Sequence, residues 1–257
     1  MDLEAEYNNR ARVPDHPAHL SAWQRDAAAW RAGCPRVELD LAYGAGGREK
    51  LDLFWPAEAD APIAIFIHGG YWQGLGREWV SHCARGLNRQ GLAVAVPSYD
   101  LCPKVGIGDI VAQMRAAARM LHARHGRRML AAGHSAGGHL AAMLLALEPE
   151  SVRAALAISG VFELEPLRHT SIGTALRLDA AAARALSPRF LPRPAGALHC
   201  VVGGAESSEY LRQSREMAAA WAGGFEVLPG HDHFTVLEPM ADAASGLVAR
   251  AKSLASA

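Results

Sequence analysis

Two runs in this chain, Pro62-Ile63-Ala64-Ile65-Phe66-Ile67 and Leu92-Ala93-Val94-Ala95-Val96, are apolar at every position. A strand with one wet face alternates apolar and polar residues, whereas a strand without a polar position is covered on both faces. Helices packed on either side of a parallel sheet provide such cover. The downstream sequence keeps alternating in the same sense. A helix is expected over about 108–124, with Ile110, Met114, Ala117 and Leu121 at core spacing. A strand at 129–132, a helix at 138–148 and a strand at 154–159 follow. A strand at 198–202, a helix at about 207–221, a strand at 225–228 and a last helix at about 239–254 complete the pattern. Upstream, 20–32 reads as a helix capped by Ser21, with Trp23, Ala27 and Trp30 on one stripe. Val37–Leu41 and Leu51–Phe54 read as a hairpin about Gly44-Ala45-Gly46-Gly47. The expected fold is α/β, a mostly parallel central sheet with helices on both faces. It forms a single domain over 1–257, with an N-terminal helical segment at 1–35. Residues 160–196 break the alternation just after a strand end, where ligands of open α/β sheets bind. They are expected to form a small cap insertion.

Composition narrows the function. With 26 basic and 26 acidic residues in 257, no charge excess favours nucleic acid or an anionic membrane as partner. No segment approaches the roughly 20 apolar residues of a membrane span. The acidic start, Met1 to Glu6, lacks the apolar core of a secretion signal. Cys34, Cys83, Cys102 and Cys200 are scattered and form no CxxC pair, which suits reduced, buried thiols in a cytoplasmic protein. Homo-oligomerisation is left open.

The chemistry centres on Gly133-His134-Ser135-Ala136-Gly137, a Gly-x-Ser-x-Gly motif between a strand-like run and a run of helix formers. A serine on a tight strand-to-helix turn holds its hydroxyl clear of the backbone. The helix start offers free N–H groups to a developing negative charge. A serine hydroxyl is a weak nucleophile and needs a base, a group that orients the base, and donors for the oxyanion. His68-Gly69-Gly70-Tyr71-Trp72 follows the first fully apolar strand and corresponds to the HGGG-type loop of lipases and esterases. The N–H groups of Gly70, Tyr71 and Ala136 are the oxyanion candidates. His231 and His233 both lie on the loop after the last strand, where a base belongs. Glu206 ends the penultimate strand and is the acid candidate. Glu209 falls in the next helix, and Asp232 adjoins the base too closely to turn back onto it. His134 and His139 suit structural or substrate-lining roles. Tyr71 and Trp72 suggest an aromatic substrate face or packing of their own loop, and Tyr7 is a further lining candidate. No cofactor is called for. Two other readings remain: a metal-assisted amidohydrolase using His231 and His233, and a non-catalytic small-molecule binding protein on a hydrolase fold.

With these residues in view, the chain resembles the kynurenine formamidase (arylformamidase)-like branch of the α/β-hydrolases, close to hormone-sensitive-lipase-type esterases. The matching segments are HGGYW at 68–72, SYDLCP at 98–103, GHSAGGH at 133–139, EYLRQS at 209–214 and His233-Phe234. They lie within about residues 37–250. The resemblance implies an α/β-hydrolase fold and a serine hydrolase acting on a small ester or an N-formyl aryl amide. It favours His233 over His231, because the family histidine is followed by phenylalanine. The order is then Ser135, Glu206, His233. The family acid is usually aspartate, so the glutamate at 206 is a departure.

Overall fold

The side chains of the two apolar runs divide between opposite faces with a period of two, and each face has its own core. Ile63, Ile65 and Ile67 join one hydrophobic cluster, while Ala64 and Phe66 join the other. Ala93 and Ala95 part from Val94 and Val96 in the same way. The computed structural model describes residues 1–58 and 60–256; Ala59 and Ala257, part of the expected domain, lie outside the described residues. Among the described residues there are eight strands: β1 (Val37–Ala42), β2 (Lys50–Phe54), β3 (Ile63–Ile67), β4 (Ala93–Pro97), β5 (Met129–His134), β6 (Val152–Ile158), β7 (Ala197–Gly203) and β8 (Gly224–Leu228). They form one sheet in the order β1-β2-β4-β3-β5-β6-β7-β8. β2 runs antiparallel to both β1 and β4, and the other pairs are parallel. The expected mostly parallel sheet is therefore present, and β3, β4 and β5 are buried along their whole length.

The helices are α1 (Leu3–Tyr7), α2 (Asn9–Arg12), α3 (His16–Gly33), α4 (Arg77–Val80), α5 (Ala84–Arg89), α6 (Ile107–His125), α7 (Ala136–Leu147), α8 (Gly173–Leu176), α9 (Ala180–Ala185), α10 (Ser208–Ala220) and α11 (Gly246–Ser256). α6, α7 and α10 cover one face through Met114, Leu121, Leu140, Leu144 and Met217. α3, α5 and α11 cover the other through Trp23, Leu87, Val248 and Ala251.

Three expectations shift. Ser21 is not a cap: α3 begins at His16 after Asp15, with Pro17 in the first turn, where its missing N–H costs nothing. The Ser21 hydroxyl instead donates to the Pro17 carbonyl at 2.9 Å, inside the helix. The last helix starts at Gly246 rather than near 239, because Thr235–Ala241, which contains Pro239, is a 3-10 segment. Residues 160–196 hold α8 and α9 between short 3-10 turns at Glu165–His169 and Pro188–Phe190, rather than one helix.

Candidate active site

β5 turns into α7 through Ser135, whose φ of 55° and ψ of −120° are unusual for a residue with a Cβ. The glycines around it are needed for close approach. A Cβ on Gly133 would strike the Gly137 carbonyl, and one on Gly137 would strike the Ile67 carbonyl at the end of β3. The Ser135 amide donates to the Ile158 carbonyl at 2.9 Å, which ties the turn to β6. The Ala136 amide opens α7 and has no acceptor within that helix.

The loop after β3 lies over this turn. A Cβ on Gly69 would sit 2.9 Å from the His134 carbonyl and 3.0 Å from Ser135 Cβ. The chain then takes positive φ at Gly70 (97°), Tyr71 (51°) and Trp72 (57°). The Gly70 carbonyl accepts from the Gln73 and Gly74 amides at 2.9 and 3.1 Å, closing the loop. Gly70, Tyr71, Ser135, His134 and His233 all line one cavity of about 440 Å³.

His233 follows β8, and its Nδ1 lies 2.6 Å from Glu206 Oε2, just after β7. A carboxylate only accepts, so Nδ1 carries the proton and Nε2 keeps its lone pair when the ring is neutral. The other carboxylate oxygen accepts from the Gly203 amide at 2.8 Å and from the Ser159 hydroxyl. His134 holds the backbone of this segment: its Nε2 donates to the His233 carbonyl at 2.9 Å. Burial first, and then the nearby His233, keep the His134 pKa well below that of an ordinary imidazole. It therefore stays a neutral Nε2–H donor.

The rival groups are engaged elsewhere. Glu209 accepts from the Tyr7 hydroxyl at 2.7 Å and from Arg212 through two bonds of 2.7 and 2.8 Å. The Arg212 contact holds its carboxyl below the usual range. Asp232 accepts from the amides of Phe234 and Thr235, at 2.8 and 2.9 Å, and so shapes the loop that carries His233. His231 Nδ1 pairs with the Thr235 carbonyl at 3.0 Å. Among the described residues, no three His, Cys, Asp or Glu side chains are grouped to hold a metal. His139, its pKa pushed down to about 4 by burial, donates to the Leu186 carbonyl at 2.7 Å.

Two expected lining residues sit elsewhere. Tyr7 is fully buried, with its hydroxyl on Glu209 and Gln213. Trp72 is also fully buried and packs edge-on against His139. Neither lines the cavity. Two residues near the site are not among the expected site residues, although Tyr210 falls within the EYLRQS segment. Tyr210, on α10, packs its ring 4.7 Å from that of His233, and its hydroxyl lies 2.6 Å from that of Tyr71. Asn9, on α2, lines the cavity and donates to Tyr210 at 2.9 Å. Trp23, Leu75, Ile172 and Phe234 give the cavity an apolar wall. The arrangement brings a serine held at positive φ and an oriented imidazole to one cavity, which are parts of acyl transfer.

The BD-FAE family profile matches residues 51–161. The kynurenine formamidase of Danio rerio is 30% identical over 246 residues, covering 88% of this chain and 84% of that protein. That of Salmo salar is 30% identical over 247 residues, with the same coverage. Among solved structures, a Silicibacter sp. TM1040 protein provisionally described as a thioesterase superposes with a TM-score of 0.92. It is 36% identical and covers 97% of this chain and 98% of that one. An esterase of Pyrobaculum calidifontis shares the fold at a TM-score of 0.76 and 17% identity, covering 93% of this chain and 92% of its own.

Proposed function

Because this chain belongs to the kynurenine formamidase family of α/β-hydrolases, we propose that it is a serine hydrolase cleaving small esters or N-formyl aryl amides through an acyl-enzyme on Ser135. The observation that carries the proposal is the Glu206–His233 contact of 2.6 Å beside a serine held at positive φ. Ser135 Oγ attacks the carbonyl carbon as His233 Nε2 takes its proton. The carbonyl oxygen becomes an oxyanion facing the N–H groups of Gly70, Tyr71 and Ala136. His233 then passes the proton to the leaving nitrogen or oxygen, and the carbon–heteroatom bond breaks. Water, deprotonated by His233, attacks the acyl-enzyme and releases the carboxylic acid. The Glu206 carboxylate stabilises the imidazolium formed in each half-reaction.

The role of residues 160–196 as a cap is part of the same proposal. Ser171 and Ile172 line the cavity in support of it, and the Ile172 carbonyl accepts from Gln73 at 3.0 Å. The four cysteines are free and buried, which favours a reducing, cytoplasmic setting. No described helix is long and apolar enough to cross a membrane.

The test is turnover of N-formylkynurenine and of short p-nitrophenyl esters by the wild type and by Ser135→Ala. The variant should lose activity by several orders of magnitude on whichever compound is cleaved. Turnover at the wild-type rate would show that Ser135 is not the nucleophile. A fluorophosphonate that fails to label folded wild-type protein would count equally against it.

A further inference from the structure

Resting on the serine-hydrolase reading above, we infer that the N-terminal segment positions the oxyanion loop: Asn9 and the Tyr7 carbonyl hold the Tyr71 hydroxyl, and that grip aims the Tyr71 N–H. Tyr71 stands where an HGGG-type loop has its third glycine. Its φ of 51° lies in the left-handed region, which a residue with a Cβ keeps only when its surroundings hold it there. Its neighbours are held through their backbones. The Gly70 carbonyl accepts from the Gln73 and Gly74 amides, and the Trp72 carbonyl accepts from the Cys102 amide at 2.7 Å. Tyr71 is not held in that way. Among the described residues, neither its amide nor its carbonyl bonds to another backbone group. Its N–H is therefore free to serve a ligand, and something other than the backbone keeps the residue in place.

The side chain supplies that hold. The Tyr71 hydroxyl donates to the Tyr7 carbonyl at the end of α1, because a carbonyl only accepts. With that proton committed, the Tyr210 hydroxyl, 2.6 Å away, donates to Tyr71. Asn9, at the start of α2, donates to Tyr71 at 3.2 Å and to Tyr210 at 2.9 Å. The Tyr71 oxygen thus donates once and accepts twice. Its anchor is itself fixed: Asn9 is buried, and the Tyr7 hydroxyl ties α1 to Glu209 on α10 at 2.7 Å. On the other side, Gly69 lies close against the Ser135 turn. The Tyr71 amide sits between these two fixed points, and Tyr71 and Asn9 line the cavity with Ser135 and His233. Releasing the hydroxyl lets Tyr71 relax out of the left-handed region and turns its N–H away from the oxyanion. The loss falls on the charged tetrahedral state rather than on substrate binding. Asn9 and the Tyr71 hydroxyl are accordingly positioning groups, and the first dozen residues belong to the catalytic apparatus.

The experiment measures kcat and KM for p-nitrophenyl acetate, and, by fluorine NMR, the Kd of trifluoroacetophenone, whose adduct with a serine carries the same oxyanion. It uses the full chain as wild type, Tyr71→Phe, Asn9→Ala, Glu6→Ala and Ser135→Ala. Tyr71→Phe should lower kcat about tenfold, leave KM within about threefold and raise the trifluoroacetophenone Kd about tenfold. Asn9→Ala should move kcat and Kd in the same directions by about threefold, and it carries the test if Tyr71→Phe does not fold. Glu6 ties α1 to α10 by accepting from the Ser208 hydroxyl and the Glu209 amide, at 2.8 and 2.9 Å, and makes no bond to Tyr71. Glu6→Ala should therefore keep kcat and Kd within about twofold. Unchanged kcat and Kd in folded Tyr71→Phe or Asn9→Ala would overturn the inference, as would a loss confined to KM. An equal loss in Glu6→Ala would overturn it too, because the effect would then be loosening of the whole segment. Activity surviving in Ser135→Ala would instead overturn the nucleophile assignment.

Discussion

Glu206 grips His233 with one carboxylate oxygen, at 2.6 Å, while its other oxygen is held by Ser159 and the Gly203 amide. All three contacts are buried, so the carboxylate cannot turn away without leaving donors unpaired. The extra methylene relative to aspartate lets the group reach His233 and the end of β6 together. Glu206→Gln removes the charge that stabilises the imidazolium and can fix the wrong tautomer. It should lower kcat/KM by about 10²–10⁴-fold, read from steady-state kinetics on the best substrate. Glu206→Asp should fall between the two, because the shorter arm cannot keep both sets of contacts. A Gln variant within twofold of wild type would remove Glu206 from the mechanism.

Glu209 provides the contrast. It anchors α1 to α10 through Tyr7, whose hydroxyl also accepts from Gln213 at 2.6 Å. Tyr7→Phe leaves a buried carboxylate oxygen and an amide short of one partner each. The expected cost is about 1–3 kcal/mol of unfolding free energy, measured by urea denaturation. Glu209→Gln should likewise lower the melting temperature while keeping turnover within about threefold, since the group touches neither His233 nor Ser135. Loss of activity in a Glu209→Gln protein that is still folded would mean that this residue, not Glu206, serves the histidine.

The crossing of β3 and α7 leaves no room at Gly137, where a Cβ would overlap the Ile67 and His68 carbonyls. These are backbone atoms of the sheet and cannot swing aside as a side chain would. Gly137→Ala should cost more than about 3 kcal/mol, with melting far below wild type or insoluble protein. Gly47, in the β1–β2 turn, faces open space: a Cβ there would meet no atom within 4 Å, and its φ is not positive. Gly47→Ala should stay within about 1 kcal/mol of wild type. Similar melting temperatures for the two variants would contradict this packing.

What the sequence revealed of this molecule follows from range. The strands were legible because burial on both faces leaves unbroken apolar runs, as in Ile63–Ile67. Ser135 was legible because its turn, glycines and flanking elements are contiguous. α4 and α5 were not, because each is too short to display a helical period and their partners lie in α3, α11 and the 3-10 segment near Met240. The start of α3 was misread because Ser21 looks like a cap locally, while the break before His16 is set by the turn at Val13–Asp15. Tyr210 falls in the EYLRQS segment, but its pairing with Asn9 is not legible from sequence, for a stronger reason. The two residues meet across 201 positions of chain, and neither residue type nor local spacing marks that contact.

Stability should fall in mild acid because several histidines are buried as neutral rings. Burial pushes the pKa of His68 down to about 3 and those of His82 and His139 to about 4, and it holds His134 well below its ordinary value. In the unfolded chain each titrates near its ordinary 6.5. Between about pH 4 and 6.5 the unfolded state therefore binds protons that the folded state refuses. Where the unfolded state binds more protons, unfolding free energy rises with pH. This stability is fully present above about pH 6.5 and is lost progressively as the pH falls toward 4. Despite their partial burial, the carboxyls of Glu148 and Asp232 are held below their usual values, by arginines and by backbone amides respectively. They lose stability in the same direction but nearer pH 4. The decline between pH 6.5 and 5 thus belongs to the histidines. Urea denaturation at pH 7.5, 6.5, 5.5 and 5.0 should give a steepening loss below 6.5 and little change above it. His139→Gln keeps a donor for Leu186 without a titrating group, and should remove about one proton from the slope. Equal stability at pH 7.5 and 5.0 would mean that these rings gain protons without unfolding.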